Sequence, residues 1–173
     1  MSQTFKSLIG NYKGNLKIAE QTFSDEKIST KILQSSIFIK LIFFNCSFHK
    51  VDFSGSSFAK CEFYECTFSE SEFNRVEFES CHFDNCKIKD SNLDKVDFDD
   101  VNFNFCQFKR ISLLAGYFTD CKMIESDFKE INSSDACAII VDSQISKYNR
   151  SIDLKGDFSF NKLLEFLKSI PAS

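Results

Sequence analysis

CEFYECTF, residues 61–68, places two cysteines five residues apart and sets a phenylalanine two residues after each. An amphipathic helix would space its apolar residues three and four apart, and a simple strand would space them two apart. This stretch follows neither rule for long. Stepping by five from Phe48 lands on Phe53, Phe58, Phe63, Phe68, Phe73, Phe78, Phe83, Ile88, Leu93, Phe98, Phe103, Phe108, Leu113, Phe118, Met123 and Phe128, all large and apolar. Stepping backwards reaches Phe43, Phe38, Leu33, Ile28 and Phe23. Two residues before each centre, from Cys46 to Ser126, the side chain is small or β-branched and never charged.

Side-chain direction gives this pattern a physical meaning. Residues two apart on an extended segment point to the same side, so the small residue and the large one both face inward while the residue between them faces water. The chain must then turn, because otherwise the inward set would not recur at five. On this reading Cys61 with Phe63, and Cys66 with Phe68, are inward pairs on successive faces, Glu62 and Thr67 face water, and Tyr64 and Glu65 turn the corner. Repeated, such a unit coils the chain about an axis, and successive coils pair as parallel strands about 4.8 Å apart.

VDFSG (51–55), SNLDK (91–95), VDFDD (96–100) and VNFNF (101–105) closely follow the unit A(D/N)LXX. The chain thus resembles the pentapeptide-repeat proteins over about residues 43–130. The resemblance implies an all-β solenoid, a right-handed parallel quadrilateral β-helix with four units, or 20 residues, in each coil. Where the pattern starts and fades sets the expected organisation of the chain: an N-terminal cap region over 1–30, the β-helix over 31–145, and a C-terminal segment over 146–173. In that segment DFSFNKLLEFLKSI (157–170) changes period. Phe160, Leu163, Leu164, Leu167 and Ile170 fall at helical spacing, Asp157 or Ser159 can act as N-cap, and Pro171 ends the run, predicting a helix over about 158–170. Its expected role is to cover the open end of the solenoid or to form a homodimer seam.

Composition narrows the function classes. The chain has 22 Phe, no Trp, one Pro and five Gly, so its turns are made almost without the usual turn residues. The formal net charge is −4, which argues against direct nucleic-acid or anionic-membrane binding. Residues 1–50 carry seven Lys against three acids, whereas 52–100 carry thirteen acids against five Lys/Arg. MSQTFKSLIGNYKG has no secretory h-region, and the most apolar run, SIFIKLIFF (36–44), is too short to span a bilayer, so a soluble cytoplasmic protein with reduced thiols is expected.

With 20 residues per coil, Cys46, Cys66, Cys86 and Cys106 stack on one face, and Leu41, Cys61, Cys81, Val101, Cys121 and Val141 on another. These cysteines, with Phe48, Phe63, Phe68, Phe78 and Phe83, are assigned to structural core, and Cys137 is the one cysteine outside the small inward position. The cysteines show no C-x-x-C spacing and His49 and His82 point outward, so no metal site or cofactor is expected. The sequence has no phosphate-binding glycine loop, nucleophile elbow or Cys/His pairing, and a Phe-filled rod offers no concave site, so no enzymatic activity is expected.

Two outward clusters are candidate partner sites. Glu77, Glu79, Asp97, Asp99 and Asp100 form an acidic face, extended by Glu62, Glu65, Glu70, Glu72, Asp84, Asp90 and Asp94. Phe105, Leu114, Tyr117 and Ile124 form an apolar cluster suited to a partner or dimer contact. Resemblance to the quinolone-resistance branch implies a DNA mimic that engages a type II topoisomerase such as gyrase. Gyrase-directed members commonly interrupt their coils with a loop, and no insertion interrupts 43–128 here. The alternative is an immunity protein covering a cognate toxin, or a scaffold module. In each case the partner is a protein, with a basic or DNA-binding surface.

Overall fold

The structure is a computed structural model that describes residues 4–10, 12, 14–132, 139–147 and 150–169. The five-residue period becomes a four-sided parallel β-helix. Lys17–Ala19, Ile37–Ile39, Ser57–Ala59, Glu77–Glu79, Asp97–Asp99 and Tyr117–Thr119 build the first face. Thr22–Ser24, Ile42–Phe44, Glu62–Tyr64, His82–Asp84, Asn102–Asn104 and Lys122–Ile124 build the second. The third runs from Lys27–Ile32 to Asp127–Lys129. The fourth is narrower, with single bridges joining Asp52, Glu72, Asn92, Ser112 and Asn132. Registers such as Phe78↔Phe98 and Phe83↔Phe103 set 20 residues per coil.

The corners explain how the chain turns with so little Gly and Pro. Every fifth residue from Asn15 to Glu130 has a positive φ of about 49–59°, apart from Gly55 at 67°. This left-handed region is uncommon for residues with a Cβ. Here it recurs because each corner N–H donates to the next coil: Glu65 to the Asp84 carbonyl at 2.8 Å and Asp100 to the Thr119 carbonyl at 3.0 Å. Inter-coil bonding offsets the local backbone cost. Only Glu65 makes the corner in CEFYECTF; Tyr64, expected to share it, lies inside the strand Glu62–Tyr64 with its side chain outward.

Inside, the large residues stack coil on coil. Phe38, Phe58, Phe78, Phe98 and Phe118 are separated by 4.6–5.1 Å between successive rings, and Phe43, Phe63, Phe83 and Phe103 by 4.7–5.4 Å. Each buried ring contributes several kcal/mol of burial, roughly 25 cal/mol per Å² over 150–250 Å². Where Ile88 and Leu93 interrupt the rings, a dry apolar cavity of about 10 Å³ remains, bordered also by Phe68, Phe73, Phe78, Phe83 and Phe98.

The small inward position does more than save space. Cys66 Sγ lies 3.5 Å from the Phe43 carbonyl and 3.4 Å from the Tyr64 carbonyl, and the Cys61 N–H donates to Cys81 Sγ at 3.4 Å. Serines repeat the arrangement: Ser126 Oγ donates to the carbonyls of Phe103 and Ile124 and accepts from the Cys106 N–H. Cys and Ser are therefore equivalent members of one interior ladder. Burial pushes the Cys121 thiol up to about 12, and the hydrogen bond with Cys61, followed by burial, raises Cys81 further. All seven described cysteines are buried free thiols; Cys137 lies outside the described residues.

Coils reach back to Lys17, inside the stretch assigned to an N-terminal cap, with Ile18, Phe23 and Ile28 on the core. The cap is the short helix Phe5–Ile9, N-capped by Thr4. Phe5 plugs the open end, its ring 5.1 Å from both Phe23 and Phe43. Gly14 lets the entering chain lie against the first coil: at φ +106° a Cβ there would sit 2.5 Å from the Gln34 carbonyl oxygen.

The other end departs from the sequence-based expectation. Tyr117 pairs with Ile139 and Met123 with Ile145, a step of 22 residues, whereas Ser112 still pairs with Asn132 at 20. Two extra residues thus enter between Asn132 and Ile139, and the column above Cys121 passes to Ser143, whose Oγ accepts the Cys121 N–H at 3.0 Å. Val141, expected in that column, is instead in register with Thr119. The final strand, Ile139–Lys147, crosses from the first face to the second and folds back as an antiparallel hairpin with Arg150–Ser159. The helix Phe160–Ser169 follows at once, Asp157 falling in the preceding strand and Ser159 immediately before the helix. Leu163 is buried, and Leu164 and Leu167 pack against the core near half-buried Phe128. The expected contributions of Ile170 and Pro171 lie outside the described residues. Among the described residues no helix is long and apolar enough to cross a membrane.

Candidate functional site

Because the interior is filled, chemistry on this molecule is confined to the side chains flanking each strand centre and to the corners. On the first face these positions read, coil by coil, Lys17/Ala19, Ile37/Ile39, Ser57/Ala59, Glu77/Glu79, Asp97/Asp99 and Tyr117/Thr119. The register places Glu77 directly opposite Asp97, and Glu79 opposite Asp99. Directly opposed like charges destabilise a sheet. None of these four carboxylates forms an ion pair among the described residues, and Asp97 is held above the usual carboxylate range by partial desolvation and then by the charges of Asp99 and Glu77. Asp100, at the adjoining corner, accepts a hydrogen bond from Ser80 Oγ at 2.9 Å.

The remaining acids are differently placed. Asp90 is bridged by Arg110 through two nitrogens, which lowers its carboxyl. Glu70 lies 3.3 Å from Lys50 and 3.9 Å from His49. Asp94 accepts from the Leu114 N–H and Ser112 Oγ, Asp84 lies 3.8 Å from His82, and Glu62 accepts from the Tyr64 hydroxyl. The acidic surface therefore resolves into four unpaired carboxylates on the first face and a surround in which Glu62, Glu70, Asp84, Asp90 and Asp94 have partners, while Glu65 and Glu72 are exposed at single positions.

The apolar cluster does not form as expected. Phe105 and Ile124 do meet, the Phe105 N–H donating to the Ile124 carbonyl at 2.8 Å. Leu114 and Tyr117 flank the corner between the fourth and first faces, diagonally across the square. The reason is the period itself: Phe105 and Leu114 differ by nine residues, nearly two sides, and Tyr117 belongs directly above Asp97 on the first face. Phe105 is 53% exposed although it occupies a left-handed corner, a backbone conformation that bulky residues avoid. Next to it, Asn104 Oδ1 is the one buried side-chain oxygen or nitrogen without a hydrogen-bond partner among the described residues. An open groove lined by Asn45, Glu65, Thr67, Asn85, Lys87, Phe105 and Gln107 runs along the same corner.

One surface was missed by the sequence reading. Ile37 and Phe44 are exposed and Ile39 and Ile42 half-buried, so the outward positions of a single coil form an apolar band across the first and second faces. Phe44 stacks on Tyr64 at 4.9 Å. The signal was available in SIFIKLIFF, where Ile37, Ile39, Ile42 and Phe44 are apolar alongside inward Phe38, Leu41 and Phe43, more apolar side chains than the inward positions can take. Among the described residues no group of three or more His, Cys, Asp or Glu is placed to hold a metal ion.

With the coil and its corners defined, the comparison with known proteins has a definite object. Residues 41–115 match the family described as Pentapeptide repeat region. The coiled part of this chain is a pentapeptide-repeat β-helix. No curated protein matches the sequence. Among solved structures, a trypsin-treated form of QnrB1, a plasmid-mediated fluoroquinolone resistance protein, matches at 18% identity over 75% of this chain and 70% of that one, with a TM-score of 0.51. HetL, a pentapeptide repeat protein involved in heterocyst differentiation regulation from the cyanobacterium Nostoc sp. strain PCC 7120, matches at 11% identity over 82% of this chain and 62% of that one, with a TM-score of 0.42. At these identities the likeness is one of fold.

Proposed function

We propose that this pentapeptide-repeat β-helix is a non-catalytic protein-binding rod whose first face presents Glu77, Glu79, Asp97 and Asp99 to a basic surface of a partner protein. The observation that carries this reading is the like-charge ladder itself. Four carboxylates face one another across two coils without a cation, whereas Glu70 and Asp90 on the third-face corners each meet one. A partner that brings positive charge relieves the repulsion on binding and is steered to the face from a distance. A DNA-binding protein is a natural partner, because a rod with a regular acidic face can occupy a site built for duplex phosphate. A type II topoisomerase such as gyrase is the first to test, supported by the shared fold with a fluoroquinolone resistance protein. The experiment is a supercoiling assay with and without a quinolone. The protein is expected to alter gyrase activity or protect it from the drug, and E77K/E79K/D97K/D99K to lose the effect; equal behaviour of the two proteins removes the acidic face from the reading.

A second reading, an immunity or scaffold protein, is favoured by the corner at Phe105. There an exposed aromatic residue is kept in a strained conformation beside an unsatisfied buried amide oxygen. A protein anchor filling that groove would explain both, and Phe105→Asn would abolish capture of such a partner while leaving gyrase untouched.

A further inference from the structure

The outward apolar residues of the first face, exposed Ile37 with half-buried Ile39 near one end and exposed Tyr117 at the other, bracket the unpaired acids. The geometry points to an amphipathic, basic α-helix of a partner protein as the occupant of this face, lying along the solenoid axis with its apolar residues on Ile37/Ile39 and Tyr117 and its basic residues between them. The inference rests on the reading that these acids meet a partner, and names the element that meets them.

Dimensions favour a helix. A three-residue strand spans about 10 Å, which matches the diameter of about 10–12 Å of a helix with its side chains. Coils recur about every 4.8 Å and helical turns every 5.4 Å or so, so one helix stripe meets successive coils with little drift. From Ile37 to Tyr117 is four coils, about 19 Å, or roughly 13 helical residues at 1.5 Å each. The acids lie two and three coils from Ile37, which calls for basic residues about six to seven and ten positions along the helix. Between them Ser57 and Ala59 form a low step that admits a close-lying helix.

Charge decides the helix's sign, and area decides against a second copy of the chain. The whole face offers about 300 Å² (roughly 10 Å by 29 Å), well below the 800 Å² or so per partner of a standard stable interface. A second copy would also set its own Glu77 and Asp97 on the same repeat. A slender helix, by contrast, covers the face completely and leaves its outer side free for the rest of the partner.

The test uses the full-length protein and a fluorescein-labelled 18-residue synthetic helix with Leu at positions 2 and 16 and Arg at 8, 9 and 12, against a scrambled peptide of the same composition. Fluorescence anisotropy is expected to show binding of the patterned peptide at least tenfold tighter than the scrambled one. Replacing Ile37 and Ile39 with Ser, acids intact, should weaken it about fivefold or more, and E77K/E79K/D97K/D99K should abolish it. Equal binding of patterned and scrambled peptides, with loss on charge reversal, overturns the helix while leaving the acidic-face reading in place. Binding that survives charge reversal overturns both. Sedimentation velocity closes the alternative: a dimer dissolved by the Ile37/Ile39 substitutions would make the occupant a second copy and overturn the inference.

Discussion

The first and third faces share a backbone, a core and a coil spacing, yet they handle charge in opposite ways. On the third face and its corners Lys50 meets Glu70, Arg110 meets Asp90, Lys109 meets Glu130 and Lys129 meets Asp127. On the first face Glu77 and Glu79 are set against Asp97 and Asp99. The solenoid does not need acids at these outward positions, since Ile37, Ser57 and Tyr117 occupy the same column as Glu77. The difference teaches that folding alone does not explain the acidic ladder, whereas on the third face and its corners Glu70, Asp90, Asp127 and Glu130 each have a cation within reach. Exposed ion pairs of that kind are individually worth little, so the contrast concerns what each face is free to bind rather than which holds the rod together.

The comparison breaks most visibly in partner binding. Reversing the four acids of the first face should weaken a basic protein partner by a hundredfold or more, measured by calorimetry or surface plasmon resonance. Reversing Lys87 and Lys89 on the third face should leave the affinity within about twofold. Equal losses from both faces would mean that net charge, not the ladder, directs binding.

A smaller effect is expected at the corner separating the second and third faces. Phe105→Gly removes a bulky side chain from a left-handed corner and should raise stability by about 1 kcal/mol, the usual scale of that strain, seen as a higher denaturation midpoint. A lower midpoint would mean that the Phe105 ring packs on the rod and contributes to it.

The pH dependence separates the two faces by sign. Asp97 is raised in the folded state, so its ionised form opposes folding at neutral pH, and this penalty disappears as pH falls through its folded pKa. Asp90 is lowered by Arg110, so its contribution is present above the unfolded carboxylate range and is lost as pH falls through its folded pKa. Asp97→Asn should therefore stabilise the protein near neutral pH with a benefit that shrinks on acidification. Asp90→Asn should destabilise slightly near neutral pH, with a loss that fades on acidification. Thermal unfolding at several pH values reads both.

Much of this arrangement was legible because the five-residue period is a direct image of geometry. The inward assignment of Cys61, Phe63, Cys66 and Phe68 needs only the alternation of an extended segment. The number of units per coil came from resemblance, since a period of five is compatible with other polygons until a register such as Phe78↔Phe98 closes the square. The left-handed corners were not legible, because Glu, Lys, Asp and Phe occupy a backbone state that no residue type among them announces. The terminal hairpin was hidden for a different reason. The two-residue shift between Asn132 and Ile139 moves Ser143 into the column where Val141 was expected, so counting by five misplaces everything beyond it. The acids Glu77, Glu79, Asp97 and Asp99 were found as a group, but their isolation from cations depends on which corner Lys and Arg residues occupy. The split of Leu114 and Tyr117 from Phe105 depends on the sides of the square in the same way.

Salt dependence of thermal unfolding tests the uncompensated ladder without requiring any partner. At low ionic strength the double variant Glu77→Gln/Asp97→Asn should melt above the wild type by about 1–2 °C, from a cross-strand repulsion of roughly 0.5 kcal/mol. The gap should close as sodium chloride is raised towards 1 M, where screening shortens the Debye length to about 3 Å. A variant that melts at or below the wild-type temperature at low salt would show that the acids of the first face belong to the fold, and would contradict their assignment as a surface held open for a partner.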